Sequence, residues 1–254
     1  MAGLSDAELA ARAAAAAGRL LMDLRRDGLL AGPSIGTAAD LLANGLILAA
    51  LRQWRPDDAI LSEESPDGTE RLARSRVWIV DPLDGTREYV EGRDDWAVHV
   101  ALAVDGTPAA GAVAVPARGR LFRSDEPAAP LELKRGPVML VSRTRRPAQA
   151  EALAAALGAE LRAMGSAGAK AMAVVAGEAD IYFHDGGQHE WDNCAPVAVA
   201  SGAGLHASRC DGSAIVYNRE RPFVPDLLVC RQDLAPRVLA ALAALQGDSK
   251  GTVT

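Results

Sequence analysis

Apolar positions along this chain recur at helical spacing in some stretches and gather into short strand-like blocks in others. Residues 77–80 (Val-Trp-Ile-Val) are a β-branched apolar run bounded by turn signals, which predicts a buried strand. A second short run, 59–64, ends in the paired acids Glu63 and Glu64. Residues 96–104, an Asp-Gly turn at 105–106 and residues 109–122 predict antiparallel strands. Helical spacing is clearest at 6–26, where Leu20, Leu21 and Leu24 form an apolar stripe beside the alanine run 13–17. There Ser5 with Glu8 makes a capping box and Gly28 suits the stop. A second helix is predicted over 38–52. The stretch 124–137, with its prolines and mixed charge, is the linker candidate. Beyond it strands and helices alternate at 138–142, 147–157, 159–164, 167–176 and 180–183. A helix after Trp191, a closing helix at 233–245 and a frayed tail at 247–254 complete the pattern. The first half, 1–126, is thus predicted as α+β and the second, 127–254, as α/β.

Composition narrows the class. With 254 residues, 49% apolar and 24% charged, the chain can bury a large core as one broad or two closely joined domains. Its formal charge is −6 and its basic residues are dispersed, which excludes the footprint of a protein that grips nucleic-acid polymers. No stretch is expected to span a membrane, and the alanine-rich start does not have the pattern of a signal peptide. Cys194, Cys210 and Cys230 form no CxxC pair and leave an odd one, so core filling and a reducing cytoplasm are expected.

The candidate chemistry sits where the apolar runs end. The 77–80 strand delivers Asp81 and Asp84 onto a turn that finishes in Gly85 and Thr86. Pro82 forces Asp81 into an extended conformation and lacks an amide, so an immediate turn is expected to bring Asp84 round toward Asp81. Gly85 lets a ligand approach the main chain, and the amides of Gly85 and Thr86 suit an anion. Glu63 and Glu64 close another strand, and Glu190 with Asp192 opens the helix after Trp191. Each has a plain explanation: a Pro-Asp-Gly turn, a solvated strand end, a core tryptophan beside a cap. Acids at several element ends fit convergence better than scatter. Two unit charges about 4 Å apart repel by roughly 4 kcal/mol at an effective dielectric near 20, so gathered carboxylates need protons or cations. Oxygen-only ligands select hard ions, and Mg²⁺ is the natural occupant.

These residues resemble the inositol monophosphatase superfamily of metal-dependent, lithium-sensitive phosphatases. The resemblance rests on ILSEE at 60–64, WIVDPLDGT at 78–86 and WDNCA at 191–195. Softer signals resemble its CysQ-type branch, the 3'-phosphoadenosine 5'-phosphate phosphatases. They are TAAD at 37–40 followed by LLANGLIL, DDWAVHVAL at 94–102, GSAGAK at 165–170, GGQHEWD at 186–192 and YN at 217–218. Ser62 and Pro196 stand where the family usually has glycine. The resemblance implies a layered αβαβα sugar-phosphatase fold. It implies that Glu63, Asp81 and the Leu83 carbonyl hold one metal and Asp81, Asp84 and Asp192 another, with a weaker third ion near Glu63. Gly85 and Thr86 would dock the scissile phosphate, Thr86 and Glu63 would position the attacking water, and Asp40 would orient Thr86. Ser166, Lys170, Glu190 and Asp192 are the implied substrate contacts. The implied activity is Mg²⁺-dependent hydrolysis of a small phosphorylated substrate, foremost the 3'-phosphate of 3'-phosphoadenosine 5'-phosphate, by a homodimer. Inositol 1-phosphate and fructose 1,6-bisphosphate are the runner-up substrates.

Other assignments compete at single residues. Asp40 as an acid in the first turn of a helix would suit the dipole, Lys170 could be a solvated first-turn lysine, and 87–95 could be either a mobile flap or a solvated connection. His184 and His189 lack helical metal spacing, Tyr217 and Asn218 fit core and turn roles, and Arg87 has a modest claim on substrate. An aspartyl-nucleophile phosphatase would need DxDGT, whereas these carboxylates are three positions apart with Pro82 after the first. GAGLHA at 202–207 fits a dinucleotide fingerprint but follows a helix instead of opening one. A metal-binding regulator without catalysis is the non-enzymatic alternative, against which intact Glu63, Asp40 and Thr86 weigh.

Overall fold

The computed structural model describes residues 3–127 and 136–250; most of the expected linker and residues 251–254 of the expected tail lie outside them. Helix α1 (Asp6–Asp27) starts where the Ser5 hydroxyl accepts from the Glu8 amide and stops at Gly28 with φ 74°. Helix α2 (Pro33–Trp54) begins earlier than the expected residue 38, because Pro33 takes its first position, where a missing amide costs nothing. By length and composition α2 is apolar enough to cross a membrane, with a mean hydropathy of 1.5, against the expectation that no stretch would be. Its Ile35, Ala39, Ala43, Ile47 and Leu51 are buried with α1, the placement of a core helix.

The first sheet has the order β1 (Ala59–Ser62), β2 (Arg76–Asp84), β3 (Ala97–Val104), β4 (Thr107–Val115) and β5 (Arg120–Arg123), with β1 parallel to β2 and the rest antiparallel. Asp105 and Gly106 turn the β3–β4 hairpin at φ 49° and 76°, the left-handed pair that a two-residue turn requires. The expected strand at 109–122 is two strands, because Pro116 opens a 3₁₀ turn and cannot donate to a ladder. Strand β2 runs on past residue 80. Its pairing with β3 shifts register between Asp81 and Asp84, so Pro82 is absorbed in a bulge and does not end the strand. Helix α3 (Thr86–Val90) follows, with Glu88 and Tyr89 buried. The expected flap at 87–95 is therefore anchored at both ends: buried Asp95 accepts from Arg93 at 2.6 Å and from the Gly165 amide at 2.7 Å.

After 136 come β6 (Val138–Ser142), α4 (Ala150–Leu157), β7 (Glu160–Met164), α5 (Ala167–Val175), β8 (Ile181–His184), β9 (Gln188–His189) and α6 (Glu190–Gly202). Strands β10 (His206–Ser208), β11 (Phe223–Val224) and β12 (Leu227–Cys230) and helix α7 (Ala235–Lys250) close the fold. The second sheet has the order β10-β12-β8-β6-β7, parallel at β6–β7 and β6–β8 and antiparallel elsewhere; β9 and β11 pair separately. The GAGLHA segment runs from the end of α6 into β10, and no helix follows it.

Three apolar clusters order these pieces into five layers. Helices α1 and α2 cover one face of the first sheet through Trp78, Val80, Val98 and Val100. Helices α5 and α6 fill the space between its other face (Val77, Ile79, Ala101) and the inner face of the second sheet (Leu140, Tyr182, Val229). Helices α4 and α7 cover Met139, Ile181 and Leu228 on the outside. The result is the expected αβαβα stack.

Candidate active site

Side chains alternate across a strand, so Asp81 follows Val77 and Ile79 onto the face turned toward α5 and α6. Asp192 is the third residue of α6. The bulge swings Asp84 to the same place, and one carboxylate oxygen from each of Asp81, Asp84 and Asp192 lies within 4.8 Å of the others. Glu63, immediately after β1, extends the β1–β2 ladder by donating its amide to the Val80 carbonyl at 3.2 Å. It opens onto the same cleft of about 420 Å³, which is also lined by Leu83, Gly85, Thr86, Arg87, Ser166 and Lys170. Gly85 sits at φ 91°, where only glycine turns the chain without strain, and hands the chain to α3.

No lysine or arginine forms an ion pair with these acids among the described residues, and Arg145 and Lys170 act on Asp192 only from a distance. Burial, then repulsion by Glu63, Asp84 and Asp192, raises Asp81 well above the carboxylate range, and the Leu83 amide, 3.0 Å from its Oδ1, only partly offsets this. Burial and Asp84 lift Asp192 to about 7. Glu63 is an exposed residue, yet desolvation of its carboxyl and repulsion by Asp192 lift it to about 7 as well. Crowded hard oxygen donors with no direct ion-pair partner fit a divalent cation.

Asp84 is aimed by α5: its Oδ2 accepts from the Ser166 hydroxyl and from the Gly168 amide at 2.7 Å. A Cβ on Gly168 would run into the His99 ring, so glycine is needed for this approach. His99, fully buried and paired in register with Asp81, has its Nδ1 3.0 Å from the Trp191 carbonyl. That acceptor places the ring proton on Nδ1, and burial lowers the imidazole's pKa. Its Nε2, 3.3 Å from Asp84 Oδ2, therefore forms no hydrogen bond.

The other expected residues divide. Thr86 Oγ1 donates to the Leu83 carbonyl at 3.2 Å and also reaches Asp40. Because α2 starts at Pro33, Asp40 is not in a first turn; burial and Glu64 lift it to about 7, opposed by the Thr86 hydrogen bond. Ser166 spends its hydroxyl on Asp84 and on the Ala169 amide. Lys170 is not solvated: buried at 4% exposure, its Nζ donates to the carbonyls of Met164, Gly165 and Ser166 and lies over the Tyr182 ring. Burial lowers it to about 8 against the pull of Asp84, Glu88, Asp95 and Asp192. Glu190 does not face the cleft; fully buried, it accepts from the amides of Asn218 (2.7 Å) and Arg219 (2.9 Å). Tyr217 is a core residue bonded to Asn193, and Asn218 holds a φ 59° turn against Arg71; neither lines the cleft. His184 is buried on β8 and lines the cleft, whereas exposed His189 stacks on Trp191.

Several supporting residues escaped the sequence reading. Ser62, the departure from glycine, donates to Asn44 Oδ1 at 2.8 Å, and Asn44 in turn donates to Ser65 Oγ at 3.1 Å. This pins to α2 the turn that carries Glu63. Buried Arg71 bonds Asp67 at 2.6 and 2.8 Å and Asn218 at 2.7 Å, tying the β1–β2 connection to the loop that Glu190 holds. The only local hint was polar residues at apolar-periodic places, Asn44 on α2 and His99 on β3.

The profile described as the inositol monophosphatase family matches residues 6–246. The 3'-phosphoadenosine 5'-phosphate phosphatase of Mycobacterium leprae (strain TN) is 49% identical over 254 residues, covering 94% of this chain and 94% of its own. The 3'(2'),5'-bisphosphate nucleotidase CysQ of Escherichia coli (strain K12) is 32% identical, covering 74% of this chain and 81% of its own. Among solved structures, CysQ from Bacteroides thetaiotaomicron superimposes with a TM-score of 0.75 at 26% identity, covering 89% of this chain and 97% of that one.

Proposed function

The chain belongs to the inositol monophosphatase family, and from that premise we propose that it removes the 3'-phosphate of 3'-phosphoadenosine 5'-phosphate to give AMP and phosphate. The observation that carries this reading is the meeting of Asp81, Asp84 and Asp192 in one cleft, in an ion pair with no lysine or arginine among the described residues. In this proposal those carboxylates, with Glu63 and the Leu83 carbonyl, hold two or three Mg²⁺ ions. Bound there, the ions would supply Lewis acidity and neutralise the phosphate's charge.

The chain's own groups do the rest. Gly85 and Thr86, where β2 passes into α3, receive the scissile phosphate. The Thr86 hydroxyl has one proton and two acceptors, the Leu83 carbonyl and Asp40, so it can take a proton from a water molecule's side only as Asp40 accepts its own. Glu63 and Asp40, both lifted to about 7 by burial and like charge, are poised to accept and return protons near neutrality. Ser166 acts on Asp84 and not on substrate, and Lys170 acts through the backbone of 164–166.

Cytoplasmic residence and a homodimeric state complete the proposal. Three buried free thiols, Cys194, Cys210 and Cys230, suit a reducing compartment, and light scattering on the purified protein gives the subunit number. The deciding experiment is phosphate release from 3'-phosphoadenosine 5'-phosphate, inositol 1-phosphate and fructose 1,6-bisphosphate, with Mg²⁺ and with chelator. The bisphosphate nucleotide should turn over fastest and only with Mg²⁺. Faster release from either other substrate would replace the nucleotide assignment.

A further inference from the structure

One wall of the cleft carries two hydrogen-bond donors that the hydrolytic machinery does not use. The first is the hydroxyl of Tyr182 on β8, and a buried relay fixes its direction. The Tyr217 hydroxyl donates to Asn193 Oδ1 at 2.8 Å, which settles the Asn193 amide. Asn193 Nδ2 then donates to Gln188 Oε1 at 3.1 Å and to the His189 carbonyl at 3.2 Å. With its oxygen so occupied, Gln188 presents Nε2 to Tyr182 and donates to the phenol oxygen at 2.9 Å. Tyr182 is thus an acceptor within the relay, and its own proton finds no acceptor among the described residues. A fully buried phenol on a cleft wall with an unspent proton is a donor waiting for a ligand.

The second donor is Arg145, in the turn after β6, where its amide donates to Ser142 Oγ at 3.0 Å. Its neighbours are committed, Arg143 to Glu88 and Glu91 and Arg146 to Glu151. The Arg145 guanidinium lines the cleft and makes no ion pair or side-chain hydrogen bond among the described residues. Its charge is felt at Tyr182, His184 and Asp192, which places it over the same cavity. Lys170, one of the implied substrate contacts, is ruled out as a direct ligand because its three protons go to backbone carbonyls.

We infer that Arg145 and Tyr182 form a second-anion subsite that binds the phosphate the enzyme does not cleave, the 5'-phosphate in the nucleotide reading on which this rests. Both groups only donate in this setting, so an oxyanion satisfies them and a neutral hydroxyl does so poorly; a charge-assisted pair to guanidinium adds geometric selection. The subsite would separate bisphosphates from monophosphates by affinity and leave the chemical step alone.

The test compares adenosine 3',5'-bisphosphate with adenosine 3'-monophosphate as substrates of wild type, Arg145→Ala, Arg145→Lys and Tyr182→Phe, all with Mg²⁺. For the bisphosphate, KM should rise about tenfold or more in Arg145→Ala and several-fold in Tyr182→Phe, with kcat within about twofold. Arg145→Lys should recover part of the loss. KM for the monophosphate should not move in any variant. AMP, which keeps only the 5'-phosphate, should bind more weakly to both truncated variants by calorimetry. Equal changes on the two substrates, or none on either, overturn the subsite. If wild type instead prefers fructose 1,6-bisphosphate, the nucleotide reading fails by itself, and the same variants are judged on that sugar against fructose 1-phosphate: a bisphosphate-selective rise in KM supports the subsite, and its absence rejects it.

Discussion

On the cleft wall built by β2, Asp81 has a single backbone amide within reach and three like-charged neighbours, whereas on the wall built by α5 Lys170 gives all three of its protons to carbonyls. The acidic wall is held under electrostatic tension: among the described residues no lysine or arginine forms an ion pair with it, and Arg145 and Lys170 only partly offset the burial of Asp192. The basic wall has its buried charge satisfied internally, and the cation it offers to a ligand is the exposed Arg145. A wall that must receive a metal has to keep its charge unspent; a wall that must hold a geometry has to spend it. Ser166 joins the two, since it caps α5 by accepting the Ala169 amide while its hydroxyl aims Asp84.

The most forceful way to break this comparison is to remove charge from the acidic wall. Asp84→Asn or Asp192→Asn should lower kcat/KM by more than about 100-fold, beyond the 10–100-fold usual for residues that only support a metal's ligands. The fold should survive, because among the described residues neither carboxylate forms an ion pair with a lysine or arginine. Near-normal turnover by either purified variant would reject the assignment of that carboxylate as a ligand.

The same tension should appear in stability. Glu63 and Asp192 have folded pKa values lifted to about 7 from ordinary carboxylate values near 4. A group raised in this way contributes stability that is fully present below its unfolded pKa and is lost as pH rises through the folded one. In chelator the melting temperature should therefore fall between about pH 5 and pH 8. Adding Mg²⁺ at pH 8 should restore it, and Asp192→Asn should flatten the slope. A chelated protein that melts equally at both pH values, or a variant with the parent's slope, would show that the wall carries no such tension.

How far the sequence was legible follows from the same contrast. The α1 boundaries and the acids at element ends were legible because they depend on short-range patterns, period, caps and strand ends, whereas the five layers followed only from the family resemblance of the motifs around those acids. The bulge at Pro82 was not, since a proline after Asp81 fits a turn and an edge irregularity equally well in sequence, and only pairing with β3 decides between them. Lys170 and Glu190 were misplaced for one reason. Both are charged residues near helix starts, where solvent or ligand is the ordinary partner, and both are in fact buried against backbone groups, Lys170 on carbonyls of the turn before α5 and Glu190 on amides of a distant loop. The Tyr217–Asn193–Gln188–Tyr182 relay has no sequence signature, because its members sit on β8, β9, α6 and a later loop at spacings that follow no helical or strand period.

Lys170→Met sharpens the comparison from the basic side. The substitution keeps the stem and removes the charge, leaving the carbonyls of 164–166 without their donor in a buried place. A loss of about 2–4 kcal/mol is expected for breaking such a network, which lowers the melting temperature by several degrees. Because Ser166 lies in that turn and aims Asp84, kcat should fall about tenfold, by less than in the Asp84 variant. A change confined to KM for a bisphosphate would instead make Lys170 a direct phosphate ligand and undo the distinction between the two walls.

The smallest effect is expected behind the acidic wall, at Ser62. Its hydroxyl donates to Asn44 Oδ1 at 2.8 Å in a buried contact that ties the Glu63 turn to α2. Ser62→Ala removes that donor, but Asn44 Nδ2 still reaches Ser65 Oγ at 3.1 Å, so the turn keeps a second attachment. One buried neutral hydrogen bond is worth about 1 kcal/mol net, or roughly 2–4 °C in a chain of this size. Turnover should stay within about twofold, since Glu63 is placed mainly by the ladder bond from its amide to the Val80 carbonyl. A loss of activity well beyond the loss of stability would mean that the Ser62–Asn44 contact, and not the β1–β2 ladder, sets where the Glu63 carboxyl stands.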